Sequence, residues 1–203
     1  MRFTTIHKAQ RISLTGRSIT PMNPPGTPDM KPLRCAVLIA LLGIPALSLA
    51  APAVQVGFSP EGSARELVLQ TIDSAQHSIQ MLAYAFQAPD IMQALVNASK
   101  RGVVVRVVID KKRNLGKASK KAMDFVSRNG VELRTSDHFH LQHDKTIIVD
   151  GTTVETGSFN YAASAETMNS ENVLILRDMP DVVRHYTAHW QSRWALGVPY
   201  AVQ

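Results

Sequence analysis

The chain has 203 residues, with 22 Lys+Arg against 16 Asp+Glu and a single cysteine. That length suits one core-forming domain, and one cysteine excludes both an internal disulfide framework and a thiolate metal cluster. The net charge of +6 does not argue for a polyanion partner. Six of the basic residues but only one acid precede residue 51, which leaves 16 against 15 beyond it.

Residues 1–29 are polar, carry four prolines and show no periodicity; they read as an upstream extension ahead of a second possible start at Met30. Residues 30–50 read as a signal peptide: a basic Met-Lys-Pro-Leu-Arg, an apolar run from Cys35 to Leu49, then small residues at Ser48 and Ala50. Cleavage there makes Ala51 the mature N-terminus. A membrane anchor is the alternative, but Pro45 interrupts the run, which falls short of the roughly 20 residues a span needs. Export to the periplasm or beyond the cell is the expectation, with no stable membrane association after cleavage.

From residue 51 the chain alternates strands and helices. An apolar strand over 54–58 is followed by the turn Ser59-Pro60-Glu61-Gly62. Leu67, Val68, Ile72 and Ala75 then recur at helical spacing, predicting a helix over 63–76. Residues 78–86 alternate as a strand does. Pro89 opens a second helix with Ile91, Met92, Leu95 and Val96 as its buried stripe, and Gly102 closes it. The β-branched run 103–109 predicts a strand covered on both faces. A loop over 110–116 leads to a third helix ending near Gly130, a strand at 131–134, and three more at 146–149, 153–156 and 172–176. A helix over 180–196 carries Val182, Val183, Tyr186, Trp190 and Trp194. This alternation predicts an α/β sandwich in one domain over 51–203.

The chemistry concentrates in His143-Asp-Lys145-Thr-Ile-Ile-Val-Asp150, followed by Gly157-Ser158-Phe-Asn160 and Glu171-Asn172. On a strand, His143 and Lys145 would share one face about 6.5 Å apart. That spacing lets an imidazole attack phosphorus while an ammonium holds a non-bridging oxygen. Ser158 and Asn160 have the same spacing and could add neutral hydrogen-bond donors. Asp150, seven residues from His143, falls on the opposite face of a regular strand. It completes the motif, but a structural task such as capping a turn suits it better than orienting the nucleophile. Glu171 is the better candidate to hold the imidazole tautomer.

The HxKxxxxD pattern followed by GSxN resembles the phospholipase D superfamily. The three-residue pattern alone arises by chance in roughly one chain of this length per hundred; the downstream Gly, Ser, Asn and Glu make coincidence far rarer. Size and order are most similar to the small single-motif bacterial endonucleases of that superfamily, the Nuc type, and the similarity spans nearly all of 54–196. It implies a mixed β-sheet flanked by helices on both faces. It also implies a histidine nucleophile, phosphate binding by Lys145, Ser158 and Asn160, a supporting acid at Glu171, and neither metal nor other cofactor.

Hydrolysis through a phospho-histidine needs a second group to protonate the leaving oxygen and activate water. With one HxK motif per chain, a two-fold homodimer sharing its site is expected. Nine basic residues between Lys100 and Lys121 stand against the single acid Asp110. Lys111, Lys112 and Arg113, just after a central strand, are the candidates to bind a nucleic-acid substrate. Other readings remain at this level. His138, His140 and His143 could form a zinc site, the enzyme could be an exported phospholipase D, or the protein could bind nucleic acid without cleaving it. His185 and His189 read as packing or surface residues, and Trp190 and Trp194 as core or dimer contacts.

Overall fold

The computed structural model describes residues 51–202; the expected extension and signal peptide lie outside the described residues. In chain order the elements are β1 (Ala53–Ser59), α1 (Ser63–Asp73), β2 (Ser78–Ala83), α2 (Pro89–Lys100), β3 (Val104–Asp110), α3 (Lys117–Arg128), β4 (Glu132–Ser136), β5 (Lys145–Val149), β6 (Thr153–Gly157), α4 (Ala163–Thr167), β7 (Glu171–Arg177), α5 (Pro180–Leu196) and β8 (Val198–Pro199). All eight strands form one mixed sheet in the order β1-β7-β6-β5-β2-β3-β4-β8. β2, β3 and β4 are parallel, and the remaining pairs are antiparallel.

Strand alternation divides the core in two. Ile79, Met81, Val105, Val107, Ile147 and Val149 pack under the buried faces of α1, α2 and α3. Their alternates Leu82, Val108 and Ile148 meet α5 through Val183 and Trp190 on the other face. The result is the expected α/β architecture with helices on both faces. Trp190 is a core residue, its indole N–H donating to the Met81 carbonyl at 3.2 Å, and Trp194 stacks on it at 5.2 Å.

Three differences from the sequence reading matter. The strand expected over 78–86 ends at Ala83, where the chain leaves the sheet to place Tyr84 beside the site. The short helix α4 and the two-residue edge strand β8 carry no period long enough to announce themselves. The outer strand β1 is only half covered. A side chain at Gly57 would point into α1, so Val54, Val56 and Phe58 face the α5 side, where they are 52, 50 and 53 % exposed.

Asp150 closes the β5–β6 hairpin. It adopts φ 51° and is followed by Gly151 at φ 64°, the left-handed pair that tight hairpins favour. Its carboxylate accepts the backbone N–H groups of Gln76, His77 and Ser78 at 2.7–2.8 Å. Burial works against ionisation, but those donors outweigh it and hold the carboxyl below its ordinary value of 3.8. The motif aspartate therefore ties the α1–β2 connection to the hairpin. Grouping it with the catalytic residues is corrected: it sits at the other end of β5 from Lys145.

Candidate active site

β5 and β7 begin, and β2, β3 and β6 end, at one edge of the sheet, and the motif residues gather there. A cavity of about 710 Å³ is lined there by His143, Lys145, Ser158, Asn160 and Glu171, among others. β5 starts at Lys145 rather than at 143, so His143 stands on the approach loop, exposed, while Lys145 is buried. The two remain adjacent: Lys145 Nζ lies 3.1 Å from His143 Nδ1 and donates to the His143 carbonyl at 2.7 Å. An ammonium has no lone pair, so Nδ1 is the acceptor in that contact, and a neutral His143 ring carries its hydrogen on Nε2. Burial pushes the Lys145 ammonium below its ordinary value, and the carboxylates of Glu171 and Asp144 oppose that shift.

Within its own chain Glu171 is bonded to residues other than His143. Its Oε2 accepts the Ser158 hydroxyl at 2.6 Å, and its Oε1 accepts the Asn169 amide at 2.9 Å. Within one chain, therefore, the Ser158 proton is directed to Glu171 rather than outward to the cavity. Ser158 also accepts the Asn172 N–H at 3.0 Å, so it locks the end of β6 to the start of β7. Gly157 allows that closeness, since a Cβ there would collide with the Asn172 carbonyl oxygen. Asn160 is different: its Oδ1 is buried and has no partner among the described residues. Buried amides are rarely left so; the unmet oxygen is an acceptor, and it is the Nδ2 group that could donate to an incoming oxygen.

What flanks the imidazole instead is Tyr84. Its ring centroid lies 4.5 Å from that of His143, tilted by 60°, with Lys145 Nζ 5.2 Å from its centre. Arg113 approaches the same ring at 5.8 Å. Of the three basic-loop candidates, Arg113 is thus the one turned toward the catalytic pair. Lys111 is engaged by Asp137 at 2.8 Å, and none of the three lines the cavity itself. The wider cluster is spent in part on structure: Arg101 donates to the carbonyls of Ile72, Asp73 and Ala75, and Arg106 pairs with Glu132 at 3.1 Å.

The far wall of the cavity comes from α5, through His185, Tyr186 and His189. The two histidines are surface residues, as expected, and their i, i+4 spacing on one helix face turns both to this cavity. His189 Nε2 lies 3.1 Å from Asp144 Oδ1, and Gln142 donates to the other Asp144 oxygen. Buried Asp110 joins this network, accepting the Gln142 and Arg113 backbone N–H groups at 2.8 and 2.6 Å. The basic loop and the His143 loop are thereby fastened to the same carboxylate. His138 instead rests edge-on against Phe139 at 4.8 Å. Among the described residues, no three His, Cys, Asp or Glu are placed to hold a metal.

Residues 68–194 match the family described as cardiolipin synthase, PLD-like domain. A protein named phospholipase D from Rickettsia conorii is 34 % identical over 142 residues, covering 70 % of each chain. A mitochondrial cardiolipin hydrolase from Xenopus tropicalis is 32 % identical, over 65 % of this chain and 61 % of its own. Among solved structures, that of a phospholipase D family member, Nuc from Salmonella typhimurium, is 57 % identical with a TM-score of 0.73. The match covers 74 % of this chain and 99 % of that one. NucT from Helicobacter pylori shares the fold at 19 % identity, TM-score 0.67, over 74 % of this chain and 100 % of its own.

Proposed function

The chain belongs to the phospholipase D superfamily, and on that footing we propose that it is an exported nuclease that hydrolyses nucleic-acid phosphodiesters without a metal. The observation that carries this reading is the grouping of His143, Lys145 and Asn160 at one sheet edge, with their hydrogen-bonding capacity turned to one cavity. Lys145 supplies positive charge and Asn160 an amide to a phosphoryl group, the stabilisation a metal would otherwise provide. His143 attacks phosphorus, forming the P–N bond as the P–O bond to the leaving oxygen breaks. A second imidazole gives that oxygen its proton, then takes one from the water that releases the phospho-histidine. The acid is an imidazolium with hydrogens on both ring nitrogens, so in that role its Nδ1 no longer accepts from Lys145. In the nucleophile, Lys145 turns to the phosphate and leaves Nδ1.

The second imidazole is the partner's His143 in a two-fold dimer. The uncovered face of Val54, Val56 and Phe58 supports that assembly. It continues across Leu174, the register partner of both Val56 and Thr156, to the cavity wall. Exposed apolar faces of this kind mark interaction surfaces, and a second copy seated here brings two sites together. Nucleic acid is favoured by Arg113 beside Tyr84 and by the resemblance of the single motif to the small bacterial endonucleases of the superfamily. The relatives named phospholipase D and cardiolipin hydrolase favour a second reading, hydrolysis of phospholipid headgroups. Export rests on the pattern of residues 30–50 alone.

Purified protein incubated with plasmid DNA and with phosphatidylcholine vesicles, each in millimolar EDTA, tests the assignment. Nicked or linear DNA without choline release is expected. Choline release without DNA cleavage selects the lipid reading, and loss of all activity in EDTA overturns metal independence. For export, intact mass of periplasmic material should place the N-terminus at Ala51; retention of 30–50 overturns it.

A further inference from the structure

The mechanism above places a phosphate and a second imidazole in a cavity larger than both. A volume of about 710 Å³ is that of a site for a drug-sized ligand. The side left unused is the α5 wall with its floor of Thr146 and Thr156. His185 is exposed and has no partner among the described residues. Tyr186 reaches only the Thr156 hydroxyl, at 3.4 Å. His189 bonds Asp144 through Nε2, and in its imidazolium form Nδ1 is a second donor.

Two carboxylates face this space, and both are already engaged. Asp144 is held by His189 and Gln142, and Glu171 by Ser158 and Asn169. The donors left open across the cavity are the Asn160 amide nitrogen, the Thr146 hydroxyl and, as imidazolium rings, His185 and His189. In that form the two rings present positive charge well beyond the group that Lys145 can hold.

We propose that the α5 wall is a second phosphate subsite, formed by His185 and His189, that takes the phosphodiester adjacent to the one being cleaved. The inference rests on the phosphodiesterase reading and narrows it. The preferred substrate carries two consecutive phosphates, as a polynucleotide strand does, whereas a phospholipid with a single phosphodiester leaves this wall unfilled.

The test is kcat/KM of the full-length protein on two pairs of chromogenic nucleotides. One pair is thymidine 5′-(4-nitrophenyl phosphate) with and without a 3′-phosphate; the other is thymidine 3′-(4-nitrophenyl phosphate) with and without a 5′-phosphate. Within each pair the leaving group is identical, so the ratio isolates the second phosphate. In one pair the phosphorylated member should be favoured about tenfold, the effect of one charge-assisted hydrogen bond, chiefly through KM. His185→Ala and His189→Ala should each lower that ratio at least threefold. Ratios near one in both pairs overturn the subsite, as does a ratio that neither substitution changes. Ratios near one together with rapid hydrolysis of vesicles containing a lipid with two phosphates would assign the wall to lipid and overturn the polynucleotide reading. If the wild type cleaves none of the four nucleotides, while His143→Ala behaves identically, the phosphodiesterase reading itself fails.

Discussion

Glu155 gives the sharpest energetic test of the fold, because an acid two residues from the Gly157-Ser158 turn is fully buried. Its Oε2 accepts the Tyr161 hydroxyl at 2.7 Å, and its Oε1 has no hydrogen-bond partner among the described residues. Burial raises the carboxyl from its ordinary value of 4.5 to about 8, with the Tyr161 bond only partly offsetting that shift. The folded protein therefore keeps this proton through a range in which the unfolded chain has lost it. Below pH 4.5 both states are protonated and nothing is lost. Between 4.5 and about 8 the native state binds more protons, so stability falls as pH rises, and above 8 the full cost is present. At about 1.36 kcal/mol per pH unit, the total is on the order of 5 kcal/mol. Glu155→Gln removes the titration and keeps the shape, at about 1–2 kcal/mol for a buried amide hydrogen left unpaired. The variant should be less stable than wild type at pH 4.5 and more stable at pH 8.5, with the curves crossing between. Urea unfolding followed by circular dichroism at half-unit pH steps would show it. Parallel stability profiles for the two proteins would refute the reasoning, because Glu155 would then be ionised in the folded state or exposed.

Three further outcomes are expected. Tyr84→Leu should lower kcat more than KM on a small phosphodiester, because it frees the His143 ring, while Tyr84→Phe retains the packing and most of the rate; equal losses in both would remove the ring from this role. Asp150→Ala should cost about 2 kcal/mol through three lost backbone acceptor contacts, measured by thermal melting, and leave kcat nearly unchanged. The same carboxylate, held below 3.8, contributes its stability above that pH and loses it as pH falls through the folded value. Heterodimers of wild type and His143→Ala should be nearly inactive in multiple turnover, since one imidazole cannot serve as both nucleophile and acid; half the wild-type rate would show that each subunit works alone.

Much of the protein is legible without coordinates. The helical spacing of Ile91, Met92, Leu95 and Val96 and the β-branched run 103–109 each state a local structure, because backbone period is settled by neighbours in the chain. The grouping of His143 with Lys145 is equally local, two residues apart on one stretch. Side-chain partnership is not. Glu171 lies 28 positions from His143, and its choice of Ser158 over the imidazole depends on β6 and β7 being adjacent in the sheet. Lys111 looks like a free cation until β4 ends beside it and Asp137 takes its charge. That the surface residues His185 and His189 face the cavity depends on α5 crossing the sheet face. In each case the residue type states what bond can be made, and strand order and helix packing decide which partner comes within the 3 Å at which that bond forms.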